Sequence, residues 1–275
     1  MRRALLFPLA LSLCAQEAAL PPVQIVIEPQ TQGRAVPLDL GVLNTDLETL
    51  LRENGLAPAP AGSPGAMKLT LRPESFRLPE GLCGLSAVAY LERPGQPKVL
   101  RGRVIAAFRG NVALAMELRQ ASLDVAASLL GHSLPDTSQF RRLAVEGRPG
   151  QERLGEVPFQ SLKVRVRPFD PLYPRLALQR GVQGRVTARV TLGADGRPRR
   201  ADLISGADEL ALAALYSTLR WNFEPVQGPQ GAMEVRTEMD IPFSLSSGLG
   251  DPSVPLTDQE TRHSIQFRRK DQVGE

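Results

Sequence analysis

The sequence predicts an α+β fold: antiparallel sheet carrying helices, laid out as two successive units. Three observations lead there. Residues 185–192 and 234–245 alternate apolar and polar side chains with period two, the pattern of half-buried strands. Residues 208–221 instead repeat apolar side chains at helical spacing. Ahead of them, residues 22–131 mix the same two periodicities in the order β-α-β-β-β-α, a small α/β domain preceding an α-β-β-α-β unit at 164–245.

The chain begins with Arg2 and Arg3, then a short apolar run, Ala4–Leu13, broken by Pro8. Ala15 precedes Gln16-Glu17, which reads as a secretory signal peptide over residues 1–15. Two alternatives stand beside it. One is a lipoprotein signal at Cys14, although Leu13 is larger than the residue normally found there. The other is an uncleaved anchor, although a spanning helix needs about 20 apolar residues. Cleavage leaves Cys83 as the single cysteine, so an intramolecular disulfide is excluded and a packed core must hold the fold. Cys83 reads as a small buried residue before it reads as a reactive thiol.

In residues 22–131, Val23–Glu28 alternates like a strand. Thr45 with Glu48 makes a capping box for a helix to about Asn54, carrying Leu47, Leu50 and Leu51. A Pro/Gly/Ala-rich loop covers residues 57–66 and a short strand Met67–Arg72. Leu85–Glu92 and Lys98–Phe108 form a hairpin around Pro94-Gly95, and Val112–Leu130 is a long helix. Residues 132–163 are rich in Pro, Gly, Arg and Glu and read as a linker. Residues 246–275 read as a disordered polar tail.

In residues 164–245, Tyr173–Arg180 is a short helix opened by Pro174, whose missing N–H costs nothing in a first turn. Val186, Ala188, Val190 and Leu192 mark the buried face of the next strand. Asp195-Gly196 supplies the positive φ of a hairpin turn. The return strand is Pro198–Ser205. Its Arg199 and Arg200 suggest a strand that is an edge, or exposed on one face, with a solvated charge run. Asp208 is the expected N-cap of a helix to Trp221, with Leu210, Ala211, Ala214, Leu215 and Leu219 as its apolar stripe. In the last strand Val235, Thr237, Met239, Ile241, Phe243 and Leu245 share one face, while Arg236, Glu238 and Asp240 share the other. The result is a three-stranded antiparallel sheet with two helices covering its apolar face.

The ordered set of words in this unit resembles the C-terminal domain of the TonB family. It comprises Tyr173-Pro174, Gly181-Val182-Gln183-Gly184, Asp195-Gly196, Ser205-Gly206, Ala213-Ala214, Arg220-Trp221-Asn222-Phe223-Glu224-Pro225 and Ile241-Pro242-Phe243. No single match is specific; their order and spacing are. The resemblance covers about residues 164–245 and leaves the preceding domain unassigned.

Catalysis finds little footing. The histidines are His132 and His263, and no nucleophile elbow, phosphate loop, His-x-x-x-His or Cys-x-x-Cys pair is present, so no enzyme, metal or cofactor is expected. Aromatic residues make up 5% of the chain, too few for a base-stacking surface, so no nucleic-acid partner is expected. An exposed last strand can instead pair with an extended peptide, and Glu234–Asp240 is the segment expected to do so. The resemblance implies that this strand receives the coupling peptide of an outer-membrane TonB-dependent transporter, near the Tyr-Pro segment. The implied partner contacts are Tyr173, Pro174, Val235, Arg236, Thr237, Glu238 and Met239. Core packing explains Val235, Thr237 and Met239 equally well, and helix initiation explains Pro174. Trp221 and Phe223 read as core.

The resemblance further implies a periplasmic protein, with energy transduction from inner-membrane motor proteins. The chain departs from that pattern in having no convincing anchor helix and no long Pro-rich spacer. The alternative is therefore a cell-envelope adaptor or assembly protein that reuses the domain for protein–protein interaction. The open edge also allows two copies to pair as a homodimer.

Overall fold

The computed structural model describes residues 20–28, 38–77, 79–110, 112–131, 154–166, 173–245 and 265–266. The expected export segment, most of the expected linker and tail, and both histidines lie outside the described residues.

The first unit runs β1 (Val23–Ile27), α1 (Leu40–Glu53), β2 (Pro58–Ala59), β3 (Met67–Arg77), β4 (Leu82–Glu92), β5 (Leu100–Arg109) and α2 (Leu114–Gly131). Thr45 does not cap α1. The helix starts six residues earlier, where the Asp39 carboxylate accepts from the Gly41 and Val42 N–H groups at 3.0 and 3.1 Å. Thr45 sits inside the helix and donates its hydroxyl to the Gly41 carbonyl. β3 runs five residues past its expected end, through Pro73. The Glu28 N–H donates to the Leu71 carbonyl at the end of β1, so odd residues of β3 face β1. Pro73 shares that parity but lies beyond the end of β1, where no donor is needed.

The second unit runs β6 (Gly155–Glu156), β7 (Val164–Val166), α3 (Arg175–Gln179), β8 (Gly184–Leu192), β9 (Pro198–Ser205), α4 (Asp208–Leu219), β10 (Asn222–Phe223), β11 (Gln227–Gly228), β12 (Gly231–Ala232), β13 (Val235–Ser244) and β14 (Ile265–Gln266). The β8–β9 turn closes through Gly196, at φ 78°. A Cβ there would strike the Phe223 carbonyl, which packs against the turn. Residues 154–163 are built into this unit. Phe159 packs edge-on to Trp221 and Phe223, with ring centroids 5.8 and 6.1 Å away.

Both units share one ten-stranded sheet of the described residues, in the order β14-β13-β8-β9-β5-β4-β3-β1-β2, with β6 also on β13. The junction is an antiparallel pairing of Ala106, Ala107 and Phe108 with Asp202, Ala201 and Arg200. β9 is thus an interior strand rather than an edge. Each unit keeps its own core. Leu100, Val104, Ala106 and Phe108 of β5 face the core under α1 and α2. Ile105 and Ala107 face the other side, in the core under α4. The helices of the two units therefore lie on opposite faces of the sheet, and β5 serves both. A Cβ on Gly102 would stand 2.8 Å from Val125 of α2, so glycine lets that helix approach.

Arg200 is not part of a solvated run. It is 8% exposed, bonded to Asp202 at 2.7 Å and Glu117 at 3.0 Å, with its guanidinium 4.9 Å from the Phe108 ring centre. Arg199 does stay exposed, paired with Asp195 at 2.7 Å. On the opposite face, β5 holds α4 at both ends. Arg101 and Arg103 pair with Asp208, and Arg103 also donates to the Gly206 carbonyl at 2.5 Å. Arg109 donates to the Leu219 carbonyl, at the helix end that favours a cation. Asp208 is taken up by these pairs, and Ala207 occupies the N-cap position in its place.

Candidate peptide-docking edge

β13 pairs along its whole length with β8, from Val235 opposite Leu192 to Phe243 opposite Gly184. Its odd residues are buried: Val235, Thr237, Met239, Ile241 and Phe243 face the core under α4. Its even residues face the open side. The Glu238 carboxylate accepts from Arg189 at 2.9 Å, and Asp240 accepts from Arg185 at 3.1 Å and from the Thr187 hydroxyl at 2.8 Å.

The orientation of the backbone follows from one bond. The Val157 N–H donates to the Arg236 carbonyl at 2.8 Å, so Arg236 points its backbone away from β8. Backbone groups alternate along a strand, so Glu238 and Asp240 point the same way. Among the described residues, β6 and β14 pair with the two ends of the outer edge, and the turn Phe159–Ser161 that follows β6 also comes against β13. β6 pairs in parallel with Val235 and Arg236, and β14 with Phe243 and Ser244. Between Thr237 and Pro242 no described strand lies on the outer side. Two N–H groups, of Glu238 and Asp240, are presented there. Pro242 has none to give, as suits a strand margin.

The expected contacts fall into two classes. Arg236 and Glu238 lie on the presented edge, with Glu238 exposed and Arg236 half-buried. Val235, Thr237 and Met239 lie on β13 with buried side chains, so only their neighbours' backbone and the open-face side chains are reachable. Tyr173 is 5% exposed; its hydroxyl donates to the Val182 carbonyl and its ring meets Phe243 edge-on at 5.5 Å. Burial pushes the Tyr173 hydroxyl pKa up. Pro174, half-buried, immediately precedes α3 in extended conformation, so it introduces the helix without entering it. Trp221 and Phe223 are buried and stacked at 5.8 Å.

Sequence reasoning missed the segment that covers one end of the edge. Gly155, Glu156 and Val157 sit in a Pro/Gly-rich stretch that reads as linker; the apolar Val157 and Phe159 around Pro158 were the available signal. Asp240, which ends the expected docking segment Glu234–Asp240 but is not among the implied contacts, has the parity of Glu238. Among the described residues no group of three or more His, Cys, Asp and Glu could hold a metal ion. Burial raises the pKa of the free, half-buried Cys83 thiol, which keeps it in its unreactive form.

Residues 170–245 match the family model of the Gram-negative bacterial TonB protein C-terminal. The chain carries a TonB C-terminal domain. The match ends within a residue of β13, takes in α3, β8, β9, α4 and the last strand, and leaves β1 to α2 and β6 outside. The curated proteins offer no match to the chain. No helix among the described residues is long and apolar enough to cross a membrane.

Proposed function

We propose that the TonB-like domain binds an extended segment of a partner protein by strand addition to β13, between Thr237 and Pro242. The observation that carries this reading is the run of outward backbone groups at Glu238 and Asp240, on a strand otherwise fully paired with β8. On this reading the partner is an outer-membrane TonB-dependent transporter, the protein works in the periplasm, and inner-membrane motor proteins supply energy through it.

A second reading has its own support. The preceding unit shares the sheet and grips α4 at both ends, so the domain is coupled to β1–α2 rather than carried on a free tether. That favours a cell-envelope adaptor in which β1–α2 binds a further partner. N-terminal sequencing with membrane fractionation separates the two: an intact, inner-membrane Met1 supports energy transduction, and a cleaved periplasmic form supports the adaptor.

Strand addition is tested by two prolines. Glu238→Pro removes an outward N–H and leaves the β8 ladder intact, so a labelled Val-Thr-Val-Thr-Val peptide should bind at least about tenfold more weakly while the fold survives. Thr237→Pro removes an N–H used by β8 and should cost stability of about 3 kcal/mol. Unchanged peptide binding by a folded Glu238→Pro variant would rule out addition at this edge.

A further inference from the structure

We infer that the stretch of β13 between Thr237 and Pro242, which no described strand pairs, selects a strand carrying basic side chains at two alternate positions, i and i+2, opposite Glu238 and Asp240; the inference rests on the strand-addition reading above. Across the open face of the sheet, charge alternates in sign from strand to strand. Asp202 of β9 stands opposite Arg189 of β8, which stands opposite Glu238 of β13. Beside that row, Asp240 takes the Arg185 guanidinium and the Thr187 hydroxyl. Directly opposite, same-face pairs of unlike charge favour pairing, and like charges oppose it.

The chain's own strand at this edge obeys the same rule. β6 sets Glu156 in register with Arg236, an acid opposite a base, on the same face. The next two open-face positions of β13, Glu238 and Asp240, are both acidic and exposed, and no described strand lies beside them. An added strand continuing the alternation therefore presents a base at each. The positions are two residues apart, so they fall on one face of the added strand in either direction. Its other face lies on the core side, so apolar residues alternate with the basic ones.

The rule also bears on a second copy of the chain. Antiparallel self-pairing centred on residues 238, 239 or 240 sets Glu238 against Glu238, Glu238 against Asp240, or Asp240 against Asp240. The same two side chains that attract a basic partner discourage a β13 homodimer.

The test measures fluorescence polarisation of three labelled peptides with the full chain: Val-Lys-Val-Lys-Val, Val-Thr-Val-Thr-Val and Val-Glu-Val-Glu-Val. The lysine peptide should bind about tenfold tighter than the glutamate peptide, with the threonine peptide between, and the gap should narrow with added salt. The double variant Glu238→Gln/Asp240→Asn should bind all three alike. Glu238→Lys/Asp240→Lys, if it folds beside Arg185 and Arg189, should reverse the order. Equal binding of the three peptides to the parent chain, or a glutamate preference, overturns the charge rule and leaves strand addition standing. Failure of all three to bind overturns strand addition at this edge, and the charge rule with it.

Discussion

β8 has a neighbour on each side, and the two neighbours meet different fates. On one side β9 is joined by β5 of the preceding unit, and the sheet continues. On the other side β13 pairs at its ends with β6 and β14, and no described strand lies beside it between them. Both strands carry charge on the face away from α4. On β9 the charge is closed in: Arg200 lies between Asp202, Glu117 and the Phe108 ring. On β13 Glu238 and Asp240 stay exposed where no described strand pairs. Charge on a strand does not by itself mark an edge; what decides is whether another element brings counter-charges and a matching apolar surface.

The largest expected effect comes from breaking the occupied side. Ala107 is buried between Ala201 and α4, at the centre of the junction. Ala107→Asp places a carboxylate there with no room for water, and should cost about 3 kcal/mol or more. Urea unfolding should split into two transitions as the units uncouple, and amide exchange at Ala201 and Asp202 should speed up while that of Met239 changes less. A single transition with an unchanged midpoint would mean that the junction contributes little to stability.

Arg200→Ala is the milder cut. It leaves Asp202 and Glu117 facing each other without their cation, but both side chains are about a quarter to a third exposed, so water takes up part of the loss. The expected cost is about 2 kcal/mol by urea denaturation. A cost close to zero would say that Arg200 fills space beside Phe108 and does little electrostatically.

The same contrast explains how much was legible beforehand. The alternation in β8 and β13, the Asp195-Gly196 turn and the α4 stripe are local patterns, and each appears within two residues of its expected place. The element order of the first unit was also readable, except for the two-residue β2. What lay out of reach was long-range. Nothing near Arg200 in the chain announces Glu117, 83 residues away. The odd residues of β5 mix Arg101, Arg103 and Arg109 with Ile105 and Ala107, which looks like a solvated face until α4 is laid across it. For the docking edge, sequence supplied the strand but not its parity. The Val157–Arg236 bond was needed to show which backbone groups face outward.

The smallest effect tests a carboxylate that lacks what Glu238 and Asp240 have. Glu74, on β3, is half-buried, with no hydrogen bond or ion pair among the described residues. Burial raises its pKa, opposed more weakly by the charge of Arg72. The sign follows from linkage. Below the ordinary glutamate range, near 4.3, the group is protonated folded and unfolded, and burial costs nothing. As the pH rises through the raised folded value, the folded state must expose or ionise a poorly solvated carboxylate, and stability falls. Glu74→Gln removes that penalty. The variant should match the parent below about pH 4 and exceed it at pH 7, by about 0.5 kcal/mol at most once solvent screening is allowed for. By contrast, Glu238→Gln gives up the Arg189 pair and should gain nothing at pH 7. A Glu74→Gln advantage that does not change between pH 4 and 7 would trace the effect to packing rather than to charge.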